Sequence, residues 1–387
     1  MKLTIFSNFF NHHQKPLADE FYRLLGDDFT FVATSPMPET FIKAGYGQFQ
    51  VSYLLCAYES SEKKEKALEL GLDSDVVILG AAPSAYVAER IEQNKITFRY
   101  AERMFKKSKW QKFNPRAIWH QYKKHTVLKN KNCHMLCSSA FTANDLTWIK
   151  AYPNKMYKWG YFTKVENHSI EQILEGKRNN KFTILYVARL IDWKHPEIAV
   201  KLGKTLKEKG YDFMINIVGS GEMQDELRTQ INTLGLTDEV ILKGNIPNDE
   251  VLELMKTSHA YFFSSDRNEG WGAVANEAMA NGCTLVASHM IGSVPFLVRP
   301  NINGLVFESG NNEDAFLKMS QLLDNRDFCE QLATNAYSTI SEVWSPNQAA
   351  HNFLQLHKKL SSKLTVDMGD GPCSRAIPTP SDWHKTA

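Results

Sequence analysis

The sequence predicts an α/β fold in which two parallel-sheet units follow one another. Three observations carry this. Short β-branched and aromatic runs alternate with amphipathic helical patterns, the rhythm of strands joined by crossover helices. The rhythm restarts near Phe182 after a polar joint, "VENHSIEQILEGKRNN", around residues 160–180. The strand-like run that opens the second unit, "FTILYVARL", is almost continuously apolar, as a strand covered on both faces must be. A chain of 387 residues exceeds one ordinary core, and 43% hydrophobic with 23% charged residues is the balance of a globular protein.

Taken in order, "LTIFSN" (3–8) reads as a strand and "PLADEFYRLLG" (16–26) as a helix opened by Pro16 and closed by Gly26. "FTFVAT" (29–34), "DVVILG" (75–80), "ITFRYAE" (96–102) and "CHMLCSS" (133–139) are further strands. In the second half "FTILYVARL" is a strand, "PEIAVKLGKTLKEKG" a helix and "DFMINIVGSG" a strand. Helix 222–234, strand 239–245, helix 248–257, strand 260–265, a helix holding Glu277, and strands at 283–288 and 304–310 complete it. "WSPNQAAHNFLQLHKKL" (344–360) is an amphipathic helix opened by Ser345-Pro346. The remainder, 363–387, is rich in proline and glycine and is expected to be a loosely ordered tail, or to pack through Trp383.

The most apolar long run, Val76 to Ala88, contains Gly80 and Pro83 and is too short to span a bilayer. The start does not resemble a secretion signal, and six scattered cysteines fit reduced thiols, so a cytoplasmic location is expected. Cys133, His134, Cys137 and His125 raise a metal site, but "NCHMLCSS" reads as a buried strand whose alternate residues face opposite ways. Net charge is +2, unevenly spread: residues 103–131 hold ten Lys or Arg and no Asp or Glu. That run is either a solvated helical face or a patch drawn to an anionic membrane surface; nucleic acid ranks lower, since no nucleic-acid module surrounds it.

Ligands of open α/β sheets collect beyond the carboxyl ends of the strands, and the informative residues fall there. Arg189 ends a strand and Lys194 follows just before Pro196 opens a helix, two cations suited to a diphosphate. Gly219 and Gly221 follow "INIV", where absent side chains admit a ligand or a tight turn; the third glycine of a dinucleotide fingerprint is missing, Gln224 standing in its place. In "DRNEGWGAVANEAMANG" (266–282), Glu269 lies in a strand-to-helix loop and Glu277 on the helix, two carboxylates able to accept from vicinal hydroxyls. Gly270 and Gly272 leave backbone amides bare at the helix start. Each feature alone also fits a plain surface loop or a helix end decorated with acids.

Together "ARLIDWKHPEIAV", "IVGSGEM", "VILKGNIPNDEV" and "EGWGAVANEAMANGC…VPFLV…NGLVF" resemble the C-terminal half of the retaining family 4 glycosyltransferases of GT-B type, over roughly residues 182–345. The resemblance implies two Rossmann-like domains with parallel sheets facing across a cleft: 1–165, an acceptor domain completed by the helix at about 346–362, and 166–345, the nucleotide-sugar donor domain. It implies that Arg189 and Lys194 hold the donor diphosphate, Glu277 the ribose, Glu269 with Gly270-Trp271-Gly272 the transferred sugar, and Asn245 and Ile246 the nucleobase flank. Gly219 and Gly221 belong to the same donor set. The N-terminal half departs from the family: "NFFNHHQKP" replaces paired glycines, leaving Asn8, His12 and His13 as acceptor or cleft candidates, and Tyr100 and Glu102 stand where many members place a histidine. "YPNKMYKWGYF" and "WSPNQAAHNFLQL" resemble bacterial surface-polysaccharide members.

The implied activity is transfer of a hexose-type sugar from a nucleotide-diphosphate sugar to a saccharide or lipid-linked saccharide acceptor, with retention. No cofactor is expected, and the first half shows no Asp-x-Asp signature after a strand, so turnover is expected without metal. A sugar-nucleotide 2-epimerase of the same shape and a non-catalytic nucleotide-sugar-binding scaffold are the competing readings.

Overall fold

The computed structural model describes residues 1–39, 42, 47, 49–106, 110–166 and 169–385. The chain divides into two compact units: Met1–Lys164 with Trp344–Thr379, and Val165–Val343 with Pro380–Ala387.

The first unit is built on seven parallel strands: β1 (Leu3–Ser7), β2 (Phe29–Ala33), β3 (Leu54–Cys56), β4 (Val76–Leu79), β5 (Thr97–Ala101), β6 (Cys133–Cys137) and β7 (Met156–Lys158). They lie in the order β3-β2-β1-β4-β5-β6-β7. β1, β4 and β6 are buried at every position, which explains the unbroken apolar run of β4, while Thr4 in β1 bonds with Ser74 at 2.8 Å and His134 in β6 with Asn132 at 3.0 Å. Cys133 and Cys137 thus sit inside the sheet, where burial pushes both thiols up, and all six cysteines are free. β3 and β7 are the edges and escape a reading by pattern, because three residues show no period.

The second unit repeats the plan with β8 (Phe182–Val187), β9 (Phe213–Val218), β10 (Val240–Gly244), β11 (Ala260–Phe263), β12 (Thr284–Ser288) and β13 (Leu305–Phe307). Their order is β10-β9-β8-β11-β12-β13, again all parallel. In each sheet the connections run outward in opposite directions from a central pair, β1 with β4 and β8 with β11. Such a pair is a topological switch point, whose loops diverge and leave a crevice at the carboxyl edge. β11 ends at Phe263, so Ser264 and Ser265 belong to its loop and not to the strand read over 260–265.

The helix Pro346–Ser361 returns to the first unit, opened by Ser345, whose hydroxyl accepts from the Gln348 amide at 3.2 Å. Its Phe353 meets Phe21, Phe98 and Trp159 at ring separations of 5.7, 4.8 and 5.9 Å.

The tail corrects the expectation of loose order. Cys373 and Ala376 are buried, the Cys373 amide donates to Lys158 O and the Lys158 amide to Ser374 O, each at 2.8 Å, and Ala376 N donates to Met156 O at 3.0 Å. Residues 373–376 therefore cover the open edge of β7 with antiparallel pairing, which satisfies amides that an edge strand would leave to solvent. Proline and glycine signalled a loop, but backbone pairing with an edge needs no apolar period. Beyond Thr379 the chain lies on the second unit, where Trp383 Nε1 donates to His289 O at 3.3 Å.

Candidate functional site

In the second unit the loops after β8 and β11 meet at the switch point. The Asp192–Lys194 turn is fixed from beneath. Tyr186 Oη donates to Lys194 O at 3.0 Å, the Ser264 hydroxyl lies 3.0 and 2.9 Å from the Lys194 and His195 carbonyls, and Asp266 N donates to Trp193 O at 3.1 Å. Lys194 and Glu269, 75 positions apart in sequence, form an ion pair with side chains only 13% and 10% exposed. The ammonium also lies 4.5 Å from the Trp193 ring centroid. Lys194 and Arg189 are therefore not an equivalent pair of cations: Lys194 is neutralised inside the protein, while Arg189 is exposed and carries no ion pair among the described residues.

His195, which pattern reasoning passed over, adopts φ +52° between Lys194 and Pro196. Its Nε2 is 3.7 Å from Asp266 and its Nδ1 3.1 Å from Glu197. These pairings, Asp266 first, push the imidazole up to about 9, so it is a cation at neutral pH. Its signal in the sequence was adjacency: "WKHPE" places it beside Lys194, and Asp266 opens the motif that holds Glu269.

The glycines divide by cause. A side chain at Gly219, at φ +125°, would strike the Ala188 carbonyl, and one at Gly221 the Leu190 carbonyl, so both are required by the backbone of the β8 loop. Gly272, at φ +82°, is closed in by the Phe263 ring and Glu269. Among the described residues no acceptor meets the Gly270 or Gly272 amide. Between them the Trp271 side chain is completely buried and donates from Nε1 to Asn276 Oδ1 at 2.8 Å, so it serves the core and only its backbone borders the loop. The helix behind them, Val274–Ala280, is only seven residues long.

Glu277, on that helix, is partly buried with no partner among the described residues, and burial pushes its carboxyl up to about 7. Asn245 is exposed at the end of β10 and donates from Nδ2 to Ser220 Oγ at 2.8 Å; Ile246 beside it is half-buried.

The first unit has its own cluster. His12 and His13 follow β1 with ring centroids 3.9 Å apart, and burial keeps both neutral, pushing His13 down to about 3. Tyr161 stacks on His13 at 6.3 Å and donates to Glu102 Oε1 at 2.8 Å; Glu102 also pairs with Lys106. Burial pushes the Tyr100 hydroxyl up beside Ser7 and Gln14, whose side chains are joined by a bond from Gln14 Nε2 to Ser7 Oγ at 2.9 Å, and the Tyr100 ring leaves no space for a side chain at Gly80. His13, Tyr100 and Glu102 are thus brought together with Gln14 and Tyr161, two residues sequence reasoning missed. Asn8 holds the neighbouring strand end, its carbonyl accepting from Ser35 N at 2.7 Å. A separate cavity of about 570 Å³ lies beyond β1–β3, lined by Phe10, Ser35, Phe49, Leu54 and Tyr58 among others.

Residues 170–339 match the family model for glycosyl transferases group 1. An uncharacterized glycosyltransferase of Methanocaldococcus jannaschii is 23% identical over 209 residues, 53% of this chain and 52% of that one. The amylovoran biosynthesis glycosyltransferase AmsK of Erwinia amylovora is 31% identical over 152 residues, 38% of this chain and 37% of that one. The chain spans about half the length of the first of these curated relatives. The crystal structure of Anabaena HepE in complex with UDP matches 94% of this chain and 100% of that one with a TM-score of 0.68 at 16% identity. The fold is α/β of GT-B type, with its two Rossmann-like sheets of seven and six strands.

Proposed function

We propose that the protein is a retaining, metal-independent glycosyltransferase, moving a hexose-type sugar from a nucleotide-diphosphate sugar to a saccharide or lipid-linked saccharide in surface polysaccharide synthesis at the cytoplasmic face. The observation that carries it is the switch point of the second unit, where exposed Arg189 shares the loop after β8 with Lys194 of the buried Lys194–Glu269 pair, and the Gly270 and Gly272 amides in the loop after β11 meet no acceptor among the described residues. The family match of residues 170–339, the UDP named for HepE and the amylovoran biosynthesis named for AmsK support the same reading.

In this reading the diphosphate lies against Arg189, whose guanidinium offers two parallel donors to its oxygens and stabilises charge as the leaving group departs. Glu269 accepts from a sugar hydroxyl while Lys194 holds its orientation. A carboxylate neutralised by a lysine is a weak nucleophile, which favours attack on the leaving-group face over a covalent glycosyl-enzyme. Glu277 accepts from the ribose diol, and Asn245 and Ile246 flank the base. The aromatic and polar lining of the cavity beyond β1–β3 suits a saccharide acceptor.

Arg189→Ala tests it: turnover with the preferred nucleotide sugar should fall about 10²- to 10³-fold with the fold intact. The donor is found first by thermal shift over a panel of nucleotide sugars. Unchanged turnover removes Arg189 from this role, an inverted product anomer overturns retention, loss of activity in EDTA overturns metal independence, and rapid turnover without acceptor indicates epimerisation.

A further inference from the structure

Between β5 and β6 the first unit exposes a surface that glycosyl transfer does not require. The helix Pro115–Lys124 has no buried residue. Asn114 caps it, its side chain accepting from the Arg116 amide at 3.0 Å, and Pro115 opens it, so the helix is set by local chemistry more than by a core-facing stripe. Arg116, Trp119, His120 and Lys123 recur at helical spacing on its outward side.

Exposed rings gather here. Trp119 and Tyr122 are 57% and 43% exposed and stack at 5.7 Å, with the Lys123 ammonium 4.9 Å from the Trp119 ring. Beside them Trp110, Phe113 and Trp148 are 78%, 51% and 50% exposed, and Lys112 lies 5.1 and 5.4 Å from the Phe113 and Trp148 rings. Water-facing aromatics in such number mark a surface that something else covers.

The structure also sorts the basic run of 103–131. Arg103 is buried against Phe141, Lys106 pairs with Glu102 and Lys131 with Glu92, while Lys107 and Lys109 lie outside the described residues. Lys112, Arg116, Lys123, Lys124 and Lys129 are exposed, with no acidic partner among the described residues.

We infer that this face seats on an anionic lipid bilayer, with Trp110, Trp119 and Tyr122 entering the headgroup layer and the surrounding Lys and Arg held at lipid phosphates. Trp and Tyr carry an apolar body and a polar edge, which places them at a membrane–water boundary, and cations around them complement an anionic leaflet. No helix among the described residues is long and apolar enough to cross a membrane. The charge alone would serve any polyanion; the clustered exposed rings select the bilayer.

Flotation of the full chain with vesicles of phosphatidylcholine, alone or mixed with phosphatidylglycerol, tests this. Binding should require phosphatidylglycerol and weaken with salt. Trp119→Ser with Tyr122→Ser should lower partitioning by about tenfold or more, and Arg116→Ser with Lys123→Ser by roughly fivefold per cation. Trp110→Ser, in a different segment, gives an independent arm should the helix variant fail to fold, and unfolding temperatures report folding for each. Quenching of tryptophan fluorescence by bromolipids should disappear with these rings. Equal partitioning into both vesicles, full binding by the ring variants, or tighter capture of single-stranded DNA than of vesicles would overturn the inference. None of these readouts depends on glycosyl transfer, so the two proposals fail separately.

Discussion

Glu277 is a carboxyl whose burial leaves it near its midpoint at neutral pH, about 7. In the folded state it keeps a proton that the unfolded chain releases near the ordinary carboxylate value. Its contribution to stability therefore falls as pH rises from about 4.5 to 7 and stays lost above that. A ligand whose hydroxyls donate to it favours the charged form. Binding of a nucleotide should thus release a proton near pH 7, and the release should fade above pH ~9, where the group is already ionised. Calorimetry with UDP in buffers of different ionisation heat measures this, and Glu277→Gln should abolish the release. Proton uptake, or release that survives in Glu277→Gln, would place the ribose elsewhere. Residues such as this were legible as types and positions but not as states. The E-x7-E spacing points to Glu269 and Glu277, yet the partner of Glu269 is Lys194, 75 positions away, and only the adjacency of β8 and β11 brings them together. His195 was hidden for the same reason, since Asp266 reaches it from the other loop.

At the scale of elements, the loop after β9 fits against the loop after β8 at Gly219. Replacing it by alanine puts a methyl group into the Ala188 carbonyl at a backbone angle that L residues rarely take. Gly219→Ala should cost on the order of 3 kcal/mol or more. Gly210, at φ +79° but with open space around it, provides the control, and Gly210→Ala should cost only about 1 kcal/mol. Chemical denaturation measures both, and equal losses would show that the close approach is not the cause. Elements with four or more consecutive buried positions were readable in order, because a strand covered on both faces must be apolar throughout. The edges of the first sheet were not: β3, β7 and the 373–376 segment are held by backbone pairing, which leaves little mark on side-chain type.

For the whole molecule, the two units differ in how the chain builds them. The second takes its whole sheet from the continuous stretch 165–343 and adds only 380–387, whereas the first joins 1–164 to 344–379. Residues 165–343 expressed alone should fold cooperatively, since their sheet and core close without the rest. Residues 1–164 alone should not, because Phe21 and Phe98 lose Phe353 and β7 loses its cover; a supplied 344–379 peptide should restore a cooperative transition. Circular dichroism melts of the three samples decide it, and a stable 1–164 fragment would refute the dependence.

The return of residues 344–379 also sets a schedule during synthesis. At about 5–20 residues per second, the ribosome needs roughly 10–35 s to translate the second unit before the closing helix of the first emerges. Through that interval the nascent first sheet waits with aromatic rings bare, a ready client for chaperones, while the later-made sheet closes its core sooner.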